Sequence, residues 1–201
     1  MAPENWTTGL LIFNDVEELD FVGPWEVFTS AIMNNPVHRV VTVAETAEPI
    51  KCAKGLRVLS DHTLEDAPPL DLLLIPGGMG TRREVKNQRL LDWIAQAAEN
   101  CTWVTSVCTG ALLLAAAGPA RDKRVTTHWG FIDQLRKRGE AAEVLENVRY
   151  VHDGNIVTAA GVSAGIDMAL WLVGQIYGVE HARQVQHYIE YDPVPPYQTE
   201  V

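Results

Sequence analysis

Basic charge is scarce in this chain. Sixteen Lys and Arg stand against 26 Asp and Glu, a formal net charge of −10. A nucleic-acid-binding surface needs the opposite balance, so no nucleic-acid partner is expected. The clusters Arg121, Lys123, Arg124 and Arg136, Lys137, Arg138 are flanked by acids and lack interleaved aromatic residues, and they read as a solvated face. Cysteine is scarce too. Cys52, Cys101 and Cys108 are odd in number, lack close paired spacing and have no neighbouring histidines, which excludes a disulfide framework and a zinc site. A reducing, cytoplasmic setting follows. No basic segment precedes the first apolar strand after Met1-Ala2-Pro3-Glu4-Asn5, so a secretory leader is not expected. Repeats, low-complexity segments and long linkers are also missing. The 201 residues, 47% hydrophobic and 21% charged, are therefore expected to form one soluble domain, 1–201, with a substantial core. The stretch from Cys101 to Ala120 has no charge and is about long enough to span a bilayer. Its Thr, Val and Trp content and the Gly118-Pro119 break instead suggest a strand, a turn and a buried helix, and no membrane partner is expected.

What is present is an alternation of strand-like and helix-like segments, the pattern of an α/β fold with a parallel sheet covered on both faces. Strands are expected at Thr8–Phe13, His38–Ala44 and Leu72–Ile75, and again just before Cys108. Ile50–Leu59 reads as a small hairpin turning at Lys54-Gly55, and Tyr150–Val157 as a hairpin turning at Asp153-Gly154. Helical periodicity covers Glu18–Met33, with a bend or restart expected at Gly23-Pro24, and Gln88–Ala98. Trp129, Ile132 and Leu135 mark an amphipathic helix, and Glu180–Glu190 a last one before the Pro-rich tail Asp192–Tyr197. Ser163 is placed to cap a buried helix running to about Tyr177.

The segment Val104-Thr105-Ser106-Val107-Cys108-Thr109-Gly110 carries the most chemistry. A β-prone run ends in a cysteine and a small, glycine-containing helix start follows, the sequence form of a nucleophile elbow. A helix N-terminus favours an anion, so a thiolate at Cys108 would be stabilised there and nucleophilic. The same residue also reads as a small buried core cysteine, with the reactive reading slightly ahead. Gly77 and Gly78, after a predicted strand, offer backbone N–H groups to a developing negative charge, with the Thr109 N–H beside them; a plain turn also uses Gly-Gly. Asp20 lies in the apolar run Leu19-Asp20-Phe21-Val22, where a carboxyl has a raised pKa and exchanges protons near neutrality. It also fits a helix cap. His128 is the candidate for a Cys–His pair or a hydrogen-bonded packing residue, and no role is assigned to His181 or His187.

Taken together, Leu19-Asp20 with Gly23-Pro24, Ile75-Pro76-Gly77-Gly78, Ser106-Val107-Cys108-Thr109-Gly110, Thr126-Thr127-His128-Trp129 and Gly165-Ile166-Asp167 resemble the PfpI superfamily. This is the class I glutamine-amidotransferase-like group that includes the parkinsonism-associated protein. Within it the resemblance is to isocyanide (isonitrile) hydratases, from about Gly9 to Tyr197, including the tail Glu190-Tyr191 with Pro195-Pro196-Tyr197. The resemblance implies a flavodoxin-like α/β three-layer sandwich with a mainly parallel central sheet. It also implies a homodimer and no cofactor or metal. Cys108 would be the nucleophile, Asp20 its acidic partner and Thr109 a residue that positions substrate. His128 and Val162, the latter in Ala159-Ala160-Gly161-Val162, would flank them. In the protease-like branch a histidine follows the cysteine directly; Thr109 in that place disfavours peptidase activity.

The expected reaction is hydration of an isocyanide to an N-substituted formamide through a covalent cysteine thioimidate, with a small molecule as substrate. Two other classes stay open. One is glyoxalase- or deglycase-like chemistry on α-oxoaldehydes. The other is a non-enzymatic ligand or redox sensor, related to the sensor domains of AraC-type regulators, in which Cys108 oxidises to a sulfinate. Those regulators continue into a helix-turn-helix region, whereas this sequence stops at Val201.

Overall fold

A computed structural model describes residues 4–35 and 37–193. The Pro195-Pro196-Tyr197 segment lies outside the described residues. In chain order the elements are β1 (Trp6–Leu11), α1 (Glu18–Ala31), β2 (His38–Ala44), β3 (Ile50–Lys51), β4 (Arg57–Val58), β5 (His62–Thr63) and β6 (Leu72–Ile75). There follow α2 (Thr81–Glu84), α3 (Gln88–Asn100), β7 (Trp103–Val107), α4 (Gly110–Ala117), β8 (Arg124–Val125) and, after a 3-10 turn, α5 (Ile132–Arg138). The chain closes with β9 (Glu143–Val144), β10 (Tyr150–Asp153), β11 (Ile156–Ala159), α6 (Ala164–Tyr177) and α7 (Val179–Tyr188).

Seven strands form one sheet in the order β10-β11-β7-β6-β1-β2-β5. Every pairing is parallel except the β10–β11 hairpin at one edge. The four residues of β6 are fully buried, as a central parallel strand covered on both faces requires, and each contributes on the order of 2 kcal/mol of apolar burial. From β1 the chain crosses over through α1 to β2 in one direction. From β6 it crosses through α3 to β7 in the other. Right-handed crossovers in opposite directions put these helices on opposite faces of the sheet, giving three layers. The reversal falls between β1 and β6, and ligands of open α/β sheets bind at the carboxyl ends of strands beside such a switch point.

Several expectations are corrected. Glu18–Ala31 is one unbroken helix through Gly23 and Pro24. Proline removes the N–H that would bond the Asp20 carbonyl, but packing holds the helix. A Cβ on Gly23 would lie 2.9 Å from Ile166 Cγ1, so α1 and α6 meet closely at this point, and the Pro24 ring faces Gly165. Ser163 does not cap α6 with its side chain; its backbone is already helical and its hydroxyl faces Arg149. Trp129 is not on the buried face of a helix. It begins the 3-10 turn Trp129–Phe131 and is 83% exposed, while Ile132 and Leu135 are buried. The uncharged Cys101–Ala120 stretch divides into β7, a tight turn and α4, and among the described residues no helix is long and apolar enough to cross a membrane.

Candidate active site

Three loops meet at the switch point: the one after β1 that enters α1, the one after β6, and the turn between β7 and α4. The last of these holds Cys108 at φ +56°, a left-handed conformation that a non-glycine residue keeps only when its surroundings impose it. Here they do. The Cys108 N–H donates to the carbonyls of Ala159 (3.1 Å) and Ala160 (2.7 Å), and the Cys108 carbonyl accepts from Thr127 Oγ1 at 2.7 Å. Gly110 completes the turn, since a Cβ there would lie 2.1 Å from the Ile75 carbonyl oxygen. The elbow anticipated from sequence is thus built from both neighbouring strands and from Thr127.

Asp20 is not a helix cap. It lies within the first turn of α1, fully buried, and the N-cap position is Glu17. Its Oδ2 accepts from the Gly77 N–H at 2.8 Å, while Oδ1 is buried with no hydrogen-bond partner of ordinary geometry. The Cys108 side chain is the thiol that interacts with this carboxyl. Burial raises the Asp20 pKa from 3.8 to about 7. The Gly77 N–H and Cys108 oppose the rise, and the negative charge of Glu17 adds to it. Glu17 is in turn ion-paired with Lys54 on the β3–β4 hairpin.

The expectation of a helix-stabilised thiolate is overturned. Burial, reinforced by the Asp20 charge, pushes the Cys108 thiol up to about 12. The Thr109 and Val162 N–H groups and the Thr109 side chain hydrogen-bond toward the sulfur and act against that rise without cancelling it.

The glycine loop is also corrected. The Gly77 N–H is taken by Asp20 and the Gly78 N–H by Thr109 Oγ1 at 3.0 Å, so neither points into open space as an oxyanion donor. The N–H groups that act on the Cys108 sulfur belong to Thr109 and Val162. Thr81, for which the sequence offered no signal, donates to the Gly78 carbonyl (2.8 Å), stands 3.1 Å from Thr109 Oγ1 and locks the loop onto the elbow.

His128 does not pair with Cys108. Its Nδ1 accepts from the Gly130 N–H at 3.1 Å, and its ring lies against Gly161, where a Cβ would be 2.7 Å from Cδ2. Burial and the Arg82 charge hold its pKa below the usual histidine value. Arg82 donates to the Gly78 carbonyl and lies over the Phe131 ring. The useful member of Thr126-Thr127-His128-Trp129 is therefore Thr127, and Thr126 anchors the segment by donating from its N–H to Thr158 Oγ1. Val162, at φ +43°, stands directly beside the sulfur. Among the described residues no group of three His, Cys, Asp or Glu side chains is arranged to hold a metal ion. A cleft of about 680 Å³ opens beside this region, lined by Asn14, Glu45, Arg83 and Asn87, but Cys108 and Asp20 do not line it.

A buried cysteine on a strand-to-helix elbow, with a proton-exchanging carboxyl beside it at a topological switch point, defines a cysteine-centred α/β domain. The DJ-1/PfpI family profile matches residues 8–175, and the chain belongs to that family. It is 41% identical over 189 residues to an isonitrile hydratase from Pseudomonas putida, covering 94% of this chain and 80% of that protein. It is 30% identical over 183 residues to a Parkinson disease protein 7 homolog from Danio rerio, covering 88% and 93%. A solved THiJ/PfpI family protein from Pseudomonas syringae superposes with a TM-score of 0.88 at 31% identity, covering 96% of this chain and 78% of that one.

Proposed function

We propose that this protein is an isocyanide hydratase that adds water to the terminal carbon of R–N≡C and releases the N-substituted formamide. The observation that carries the reading is the Cys108–Asp20 pair, a sulfur held at φ +56° and a buried carboxyl poised near pH 7. The 41% identity to an isonitrile hydratase supports the choice of substrate.

With the thiol pushed up to about 12, a free thiolate is not the resting nucleophile at neutral pH. Asp20, whose pKa is raised to about 7, takes the thiol proton in its ionised form as sulfur attacks the isocyanide carbon. Asp20 then delivers that proton to the same carbon, so a neutral thioimidate, Cys108–S–CH=N–R, forms with Asp20 again a carboxylate. Asp20 next accepts a proton from a water that attacks the thioimidate carbon and passes it to the nitrogen, becoming a carboxylate again. The C–S bond breaks, the hydroxyl proton returns through Asp20 to sulfur, and R–NH–CHO leaves. One water is consumed and both side chains end as they began. The Thr109 and Val162 N–H groups stabilise negative charge on the sulfur during attack and expulsion. Thr109 Oγ1, bonded to the Gly78 N–H, keeps the loop in register with the elbow.

The protein acts on a small molecule without a cofactor, as a cytoplasmic homodimer in this reading. The partly exposed Leu19 and Val22 on α1 give a second copy an apolar surface. The deciding experiment is steady-state turnover of a simple aryl isocyanide, followed by ultraviolet absorbance, for wild type and Cys108→Ala. Saturable formamide production that vanishes in the variant is expected. Absence of turnover in a wild type whose thiol still alkylates would overturn the reading and move attention to α-oxoaldehydes.

A further inference from the structure

Two segments of the family resemblance, Gly165-Ile166-Asp167 and Glu190-Tyr191, have no part in the chemistry above, yet the structure joins them. Arg149, just before β10, donates from Nε to Asp167 Oδ2 at 2.5 Å. Its two terminal nitrogens reach Ser163 Oγ at 3.3 and 3.2 Å. Tyr191, beyond the end of α7, donates its hydroxyl to the other Asp167 oxygen at 2.8 Å. The Arg149 carbonyl accepts the Ala160 N–H at 2.9 Å. Arg149 therefore grips the Ala160–Ser163 loop at both ends, by its carbonyl at residue 160 and its guanidinium at residue 163.

Between those two grips lies Val162. Its backbone is left-handed at φ +43°, a conformation that a β-branched residue adopts only under constraint, and its N–H acts on the Cys108 sulfur. The same loop supplies the Ala160 carbonyl that holds the Cys108 N–H at 2.7 Å. An isolated ion pair as open as this one, with Arg149 52% exposed, adds little to global stability. A planar fork that engages a carboxylate and a hydroxyl at once has instead the geometry to fix a position.

We propose that Arg149, oriented by Asp167 and Tyr191, is a positioning residue that holds the Ala160–Ser163 loop so that the Val162 N–H stays aimed at the Cys108 sulfur. Arg149 touches no reacting atom; it acts through the loop. Its effect falls on the reactivity of the sulfur, whichever electrophile is offered.

The test compares wild type, Arg149→Gln, Arg149→Lys and Tyr191→Phe. The probe is iodoacetamide at pH 8, with the labelling seen in Cys108→Ala subtracted as the contribution of Cys52 and Cys101. Circular dichroism and urea midpoints run alongside. Arg149→Gln is expected to slow Cys108 alkylation about tenfold, as a rise of about one pH unit in the titration of the sulfur would do. Lysine, a point donor that cannot span Asp167 and Ser163 together, restores little, and Tyr191→Phe gives a smaller slowing in the same direction. For isocyanide turnover the loss falls in kcat, with KM nearly unchanged. An alkylation rate in Arg149→Gln equal to or above wild type overturns the proposal, including the case in which only the urea midpoint falls. Because iodoacetamide needs no hydratase activity, failure of the isocyanide reading would leave this result intact.

Discussion

Replacing Asp20 by Asn should strengthen the fold while stopping the chemistry. The carboxyl is fully buried, one oxygen is unpartnered, and its pKa stands at about 7 against 3.8 in the absence of burial. Because the folded state holds the proton more tightly than the unfolded one, stability is greatest below about pH 4. It is lost progressively as the pH climbs to about 7. At about 1.4 kcal/mol per pH unit, that interval amounts to up to about 4 kcal/mol in the neutral and alkaline range. Asn keeps an oxygen for the Gly77 N–H and carries no charge to desolvate. The urea midpoints of wild type and Asp20→Asn should therefore nearly coincide at pH 4 and diverge from there to about pH 7, with the variant the more stable. Above pH 7 the gap should stay constant. Turnover should drop by about 10²- to 10⁴-fold, the usual contribution of a positioned acid–base group. A stability difference that does not change between pH 4 and 8, or a variant less stable at pH 8, would refute the account of Asp20 as a desolvated carboxyl.

Two other outcomes follow from the same geometry. The pH profile of kcat/KM should climb to a plateau with a midpoint near 7, set by Asp20, whereas a mechanism requiring a free thiolate would still be climbing at pH 9 because the thiol stands near 12. Sedimentation equilibrium should give twice the chain mass of 22.2 kDa, and a monomer at micromolar concentration would remove the dimer from the proposal.

Local patterns made the framework readable. The apolar runs at His38–Ala44 and Leu72–Ile75 are strands with the expected bounds, and the cysteine turn was visible because its residue types permit little else. What failed depended on neighbours distant in the chain. The restart at Gly23-Pro24 is overridden by contacts with Ile166 and Gly165, more than 140 positions away. The cap expected of Ser163 is lost because Arg149 reaches its hydroxyl. The upward Cys108 shift is invisible in the sequence because desolvation is a sum over everything packed around the sulfur. Thr81 has an ordinary sequence setting, and only the fold brings it to Thr109. Thr127 stands beside a histidine of more obvious chemistry, and only the fold carries its hydroxyl to the Cys108 carbonyl.

The groups around Cys108 are contributed by residues as far apart as Asp20 and Val162, and the grip on the Ala160–Ser163 loop reaches on to Tyr191. During synthesis the cysteine therefore emerges well before the loop that directs an amide at it, and before the residues that hold that loop. Until those last elements dock, the sulfur lacks the Val162 N–H and the Ala160 carbonyl that fixes its own backbone. The surroundings of Cys108 are thus completed late in translation, and the onset of native-like Cys108 alkylation on a ribosome-released chain would time the closing of the whole domain.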